Sequence, residues 1–291
     1  MKLTCFALLL LWLSLTALHA QNGTEVYLLD LSEKGGKITL ANPRNVSNKP
    51  GYDNQPFFHP TKPLLYYTAM MPGDQTDIWS YDLQKAIRTP VTLTPDSEYS
   101  PTVLPDQTYL SCIVQRKANG DQDLVRYLLA DPKQTELILE SKKTGKIGYQ
   151  AWLNADEAMV FVLGTPNTMH YLNRKTGRNT VIAGQIGRSL HRIPGKQAFS
   201  FVQQVGDTWL IRSYDPVRNQ VSDVATSEAT SEHYNAWLAS GTLLESRGTE
   251  LWAFSPKTKQ WQVLTLPADL PRKKLSRIAV RGNHLALVVD E

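Results

Sequence analysis

Apolar residues in this chain come in short runs, each bounded by Pro, Gly, Asn or Asp. Leu64 to Thr68 and Tyr109 to Val114 are examples. Runs of this length between turn formers predict strands, and no helical periodicity of useful length competes outside the first twenty residues. One pattern recurs: a polar or aromatic entry, a short strand, a turn, then an apolar strand. It begins at Asn54-Gln55-Pro56 and Ser100-Pro101-Thr102. Weaker copies begin at Gln150-Ala151-Trp152, His191-Arg192-Ile193, Asn235-Ala236-Trp237 and Arg277-Ile278-Ala279. The period is about 45 residues, in the range of propeller blades.

A second marker keeps the same register. Gly73, Gly120, Gly164, Gly206 and Gly248 end the apolar strand of successive copies. Each is expected to supply the positive φ of a tight hairpin. A third strand follows, such as Ile78-Trp79-Ser80-Tyr81, and a fourth closes the unit, such as Pro90 to Leu93 or Glu136 to Leu139. The sixth copy runs out after two strands, Ile278 to Val280 and Leu285 to Val289. Its missing partners sit at the other end: Gly23-Thr24-Glu25-Val26-Tyr27 mirrors Gly248-Thr249-Glu250-Leu251-Trp252, and Lys37 to Leu40 supplies a fourth strand. The expected fold is all-β: one six-bladed β-propeller over residues 22–291, four antiparallel strands per blade, its ring closed by N-terminal strands joining the C-terminal blade.

Residues 1–20 read differently. Met1-Lys2 precedes an uncharged run from Leu3 to Leu18, then His19-Ala20. The run is shorter than the roughly 20 residues that span a bilayer. This predicts a secretory signal peptide cut after Ala20, a periplasmic or secreted protein, and no stable membrane insertion after cleavage. Cys112 is then the one remaining cysteine, in a strand-like run, and reads as a buried inert thiol. The formal net charge of +4 falls by one with Lys2. So slight a dispersed excess argues against a nucleic-acid partner.

The repeats resemble the TolB-like propellers, exported bacterial proteins with WD-repeat-like blades. The resemblance covers the mature chain. Asn54-Gln55-Pro56, Asp77 to Leu83, Val91-Thr92-Leu93-Thr94 and Glu98-Tyr99-Ser100-Pro101 carry it best. The family's Ser-Pro-Asp-Gly turn is loosely matched by His59-Pro60-Thr61-Lys62 and Leu104-Pro105-Asp106-Gln107. TolB itself carries an α/β domain ahead of its propeller. Here propeller strands are expected directly after the leader. The resemblance implies a periplasmic or secreted recognition platform.

In a propeller the innermost strands all start at one rim of the central tunnel. The entries here carry Tyr52, Asp53 and Asn54; Glu98 and Tyr99; Tyr149, Gln150 and Trp152; Arg188 and His191; Glu232, His233, Tyr234 and Trp237; and Arg277. Aromatic faces beside Arg, His and carboxylates suit a protein, peptide or glycan ligand. Aromatics at such points also wedge blades together, with polar partners satisfying loop backbone. No nucleophile elbow, zinc helix or phosphate loop is present. His191, Glu232 and His233 are the sharpest metal candidates by ligand type, but neighbours on a strand point opposite ways. His59, His170 and His284 read as structural. The expectation is a monomeric, non-catalytic binding module with no cofactor or metal. The alternative is a glycan- or peptide-acting hydrolase or lyase using the mouth His and Glu residues.

Overall fold

A computed structural model describes residues 23–291. The signal peptide read over residues 1–20 lies outside the described residues. The chain forms β1 (Thr24–Lys34) and β2 (Lys37–Asn45), then five sheets in sequence. Blade 1 is β3 (Asp53–Phe58), β4 (Leu64–Met70), β5 (Thr76–Asp82) and β6 (Arg88–Pro90). Blade 2 is β7 (Ser97–Val103), β8 (Tyr109–Gln115), β9 (Gln122–Leu128) and β10 (Asp131–Leu139). Blade 3 is β11 (Ile147–Trp152), β12 (Glu157–Val162), β13 (Thr168–Asn173) and β14 (Arg178–Gly184). Blade 4 is β15 (Ile186–Arg192), β16 (Phe199–Val205), β17 (Thr208–Asp215) and β18 (Gln220–Thr226). Blade 5 is β19 (Asn235–Trp237), β20 (Leu243–Arg247), β21 (Glu250–Ser255) and β22 (Gln260–Val263). Blade 6 combines β23 (Leu275–Arg281) and β24 (His284–Asp290) with β1 and β2, in the order β2-β1-β24-β23. The described residues hold one helical turn, Ser141–Thr144.

All pairings within the sheets are antiparallel, and the innermost strands β3, β7, β11, β15, β19 and β23 touch in a closed ring. The seam follows the sequence expectation. Thr24 pairs with Asp290 and Asp30 with His284, and the Glu291 N–H donates to the Gly23 carbonyl at 2.9 Å. Closure in this way leaves no innermost strand without a neighbour. Four of the five marker glycines have positive φ: Gly73, Gly120, Gly206 and Gly248. Gly164 does not. Its N–H is held by Asn167 Oδ1 at 3.1 Å, so a side chain organises that turn. The fourth strand of blade 1 ends earlier than expected, at Pro90. Thr92 instead folds back, accepting the Ile78 N–H on its hydroxyl at 2.8 Å.

The core is divided between blades. The interior strands, such as β4, β12 and β24, are buried on both faces, and their side chains pack sheet against sheet, as Val26, Leu65, Tyr67 and Val288 do between blades 6 and 1. Cys112 is buried among Tyr66, Leu110 and Val125, and burial pushes its thiol pKa well up, as expected of an inert thiol. His59 is fully buried, with its Nδ1 accepting the N–H groups of Thr61 and Lys62, so it holds a turn.

Two tryptophans lock neighbouring blades. Trp152 Nε1 donates to Ser111 Oγ of blade 2 at 2.8 Å, and Trp237 Nε1 to Ser200 Oγ of blade 4 at 2.7 Å. Trp152→Phe is expected to cost about 1–2 kcal/mol, the cost of losing one buried bond. Trp152→Ala is expected to cost about 3–5 kcal/mol by adding a cavity. Urea denaturation measures both. Equal losses in the two variants would refute the division between bond and wedge.

Candidate functional site

Each blade sends one side chain to the start of the central channel. Tyr52, Tyr99, Tyr149, Arg188, Tyr234 and Arg277 come from blades 1 to 6 in that order. Their positions depend on irregular strand starts. Register shifts interrupt the innermost strands after Asn54 and after Tyr99, where Gln55 and Ser100 take positive φ. Such bulges re-aim the adjoining side chains. The unusual backbone is held by buried bonds: Gln55 Oε1 accepts the Ser100 N–H at 2.7 Å and the Thr68 hydroxyl at 2.8 Å.

Contacts link these side chains in two groups, and Tyr52 of the first feels the charge of Arg277 in the second. Tyr52 and Tyr99 meet edge to face with centroids 6.5 Å apart. The Arg277 guanidinium carbon lies 4.3 Å from the Tyr149 ring centroid and 4.6 Å from that of Tyr234. Tyr149 belongs to the blade opposite Arg277, so the guanidinium reaches the channel axis. Arg188 is exposed and forms an ion pair with Glu232 at 3.6 Å, while the Tyr234 hydroxyl donates to Glu232 at 3.1 Å. Burial raises the Tyr52 pKa, so its hydroxyl stays protonated well past the ordinary range.

From Tyr149, Arg188, Tyr234 and Arg277 a cavity of about 450 Å³ runs to the opposite end of the innermost strands, at Pro60, Pro105, Pro194 and Arg281. Its walls combine apolar Pro56, Pro101, Ala151, Leu190 and Ala236 with Trp152, His191 and Trp237. Exposed Arg188 at one end and exposed Pro60 and Arg192 at the other meet solvent. Gln150 and Asn235 also line it. Gln150 Nε2 donates to the Ser100 carbonyl at 2.7 Å, whereas Gln150 Oε1 and Asn235 Oδ1 are buried without a partner. His191 sits on the wall with its Nε2 3.0 Å from Ser189 Oγ, and burial lowers its pKa to about 4. It is neutral at pH 7.

The remaining predicted residues face away from the cavity. Asp53 and Glu98 are buried, and burial raises their pKa values to about 7 and about 8. Glu98 Oε1 accepts the hydroxyls of Thr94 at 2.6 Å and Tyr127 at 3.1 Å, inside blade 2. Asn54 Nδ2 donates to Thr24 at the seam. His233 stacks on Trp209 with ring centroids 4.2 Å apart, its Nδ1 2.8 Å from Ser227 Oγ. Ser227 in turn donates to buried Glu245. A serine between histidine and carboxylate is the reverse of a triad, where histidine is central. Nor do His191, Glu232 and His233 gather: among the described residues, no group of three His, Cys, Asp or Glu is placed to hold a metal ion. The deeper wall, including Gln55, Ser100, Ser189, Arg192, Asn235 and Arg281, lies beyond the strand entries that the sequence singled out. The signal for these was the continuation of the same strands inward.

No protein-family model and no curated protein matches the sequence. Solved structures do resemble the fold. TolB from Acinetobacter baumannii superposes with a TM-score of 0.61 at 12% identity, over 92% of this chain and 64% of that one. A putative TolB from Agrobacterium tumefaciens gives 0.65 at 10% identity, over 94% and 99%. A chain of the nidogen/laminin complex gives 0.63 at 8% identity, over 87% and 96%. This chain spans less than two thirds of the A. baumannii TolB. Likeness at these identities establishes the six-bladed architecture.

Proposed function

We propose that the protein is an exported recognition propeller whose strand-entry mouth engages a protein, peptide or envelope component. The observation that carries this reading is the ring of four tyrosines and two arginines, one from each blade, on one axis. Tyr and Arg supply most of the energy at binding hot spots, because a rigid aromatic body and a polar tip act together. Blade wedging accounts for Trp152 and Trp237, which bond to their neighbours. It does not account for exposed Arg188, or for a guanidinium brought to the axis. The occurrence of this architecture in a chain of the nidogen/laminin complex is consistent with a protein partner. The leader read over residues 1–20 supports export to a periplasm or out of the cell.

The test is affinity capture from the native organism's envelope and culture fluid, with a folded Tyr52→Ala/Tyr99→Ala variant as control. A partner retained by the wild type and reduced at least tenfold on the variant supports the reading. Equal capture by both overturns it. The enzymatic alternative rests on His191, a neutral imidazole on the cavity wall beside the Ser189 hydroxyl. Turnover of a peptide or glycan that His191→Ala abolishes, with folding intact, would favour it.

A further inference from the structure

We infer that the channel takes a carboxylate-bearing organic ligand, with its carboxylate on Arg277 and its apolar body in the cavity. This deepens the recognition reading above and rests on it. Two observations converge.

First, Arg277 has no hydrogen-bond or ion-pair partner among the described residues, although it is part-buried on the channel axis. The other arginine of the ring is different: Arg188 already has Glu232. Arginine carries five N–H donors and stays charged at all ordinary pH. A guanidinium withdrawn from bulk water without a bonded carboxylate is costly unless something else answers the charge. The faces of Tyr149 and Tyr234 answer it in part by cation–π attraction, and Glu232 adds a longer-range attraction. Ring faces satisfy the charge but leave the N–H edge open. Such a group is a preformed receptor for a planar, two-oxygen anion, because the guanidinium fork matches a carboxylate bond for bond.

Second, the cavity that begins at Arg277 has apolar walls: Pro56, Pro101, Ala151, Leu190 and Ala236. Its volume of about 450 Å³ lies within the ordinary range of small-ligand sites. An inorganic anion would leave these walls wet.

Gln150 and Asn235 line the same walls, but their unpartnered Oε1 and Oδ1 are closed off from the cavity and do not reach a ligand there. The fitting molecule therefore carries a carboxylate and an apolar portion. An N-acylated apolar amino acid has this chemistry, and so does the C-terminal end of a polypeptide.

Isothermal titration of the purified protein with N-acetyl-phenylalanine tests the inference. N-acetyl-phenylalanine amide, inorganic phosphate and a hexapeptide ending in free Phe are the companion probes. The carboxylate is expected to bind at least tenfold more tightly than its amide and than phosphate. Arg277→Met, which keeps bulk and loses charge, is expected to remove that preference while its melting curve stays cooperative. Tighter binding of the hexapeptide than of the free amino acid would assign the carboxylate to a polypeptide end, and the converse to a small metabolite. Equal binding of acid and amide, stronger binding of phosphate, or no binding at millimolar concentration overturns the inference. A Tyr52/Tyr99-dependent partner still captured by Arg277→Met would leave the recognition reading standing and remove the carboxylate from it.

Discussion

Removing residues 23–45 is expected to abolish cooperative folding altogether. These residues are β1 and β2, and β1 is an interior strand of blade 6, with β24 on one side and β2 on the other. Four of its apolar side chains, Val26, Leu28, Leu29 and Leu31, are buried. Fully burying each is worth about 1.5–3 kcal/mol, so the loss approaches the whole stability of an ordinary domain, about 5–15 kcal/mol. The damage also spreads. Val26 and Leu28 pack into the interface with blade 1, whereas Leu29 and Leu31 pack toward blade 5. Without them both interfaces of blade 6 open and the ring loses closure. Circular permutation is the complementary test. The Gly23 and Glu291 backbones are already hydrogen-bonded, so a short Gly-Ser link between them, with new ends in the exposed Lys257-Thr258 turn, is expected to preserve the fold. Far-UV circular dichroism and urea titration read both variants. A cooperative transition in the truncated chain would refute the seam as the closing element.

The seam and blade count were legible because they rest on local signals. Short apolar runs, turn residues and an unfinished sixth repeat each occupy a few consecutive positions, and turn chemistry does not depend on distant partners. Membership of the ring was only half legible. Glu98 stands one residue from Tyr99 within β7, where strand alternation turns adjacent side chains to opposite faces. Tyr52 and Tyr234 stand just ahead of β3 and β19, beside buried Asp53 and His233, and His233 takes positive φ, so those pairs lie outside the reach of alternation. Alternation alone separates Glu98 from Tyr99. It does not separate Tyr149 from Trp152, or place residues beyond Asn54 and Tyr99, because bulges there shift the register by a residue. A bulge at Gln55 or Ser100 leaves no trace in residue type, since neither is the glycine that positive φ favours. The blade-locking role of Trp152 and Trp237 was invisible for another reason. Their partners, Ser111 and Ser200, lie on the second strands of neighbouring blades, and serine in a strand carries no signal of what it will bond.

Stability is expected to be greatest at mildly acid pH and to fall between pH 6.5 and 8. Burial raises Glu98 to about 8, and Asp77 beside it adds to the rise; the hydroxyls of Thr94 and Tyr127 oppose it only in part. Burial also raises Asp53 to about 7, with the Glu25 carboxylate adding to it and Lys49 and Arg88 opposing. Raised carboxyls are protonated in the folded state where the unfolded chain has already released the proton. Their contribution is therefore fully present below the unfolded values near 4 and is lost as pH rises through the folded values. Histidines with lowered values act in the opposite sense. Burial holds His191 and His233 at about 4, so their contribution is present above 6.5 and is lost as pH falls toward 4. Between roughly 4.5 and 6.5 the two effects oppose each other and the profile flattens. Above 6.5 the raised carboxyls dominate, and burial raises Glu245 in the same sense. At 1.36 kcal/mol per unit, shifts of this kind give a fall on the order of a few kcal/mol by pH 8, most of it from Glu98. Glu98→Gln keeps the shape of the protonated form and cannot ionise, so it is expected to remove most of that fall and to be the more stable protein at pH 8. Urea denaturation at half-unit steps from pH 5.5 to 8.5 measures it. A wild-type profile that is flat above 6.5, or a Glu98→Gln profile as steep as the wild type, would show that Glu98 is not the group responsible.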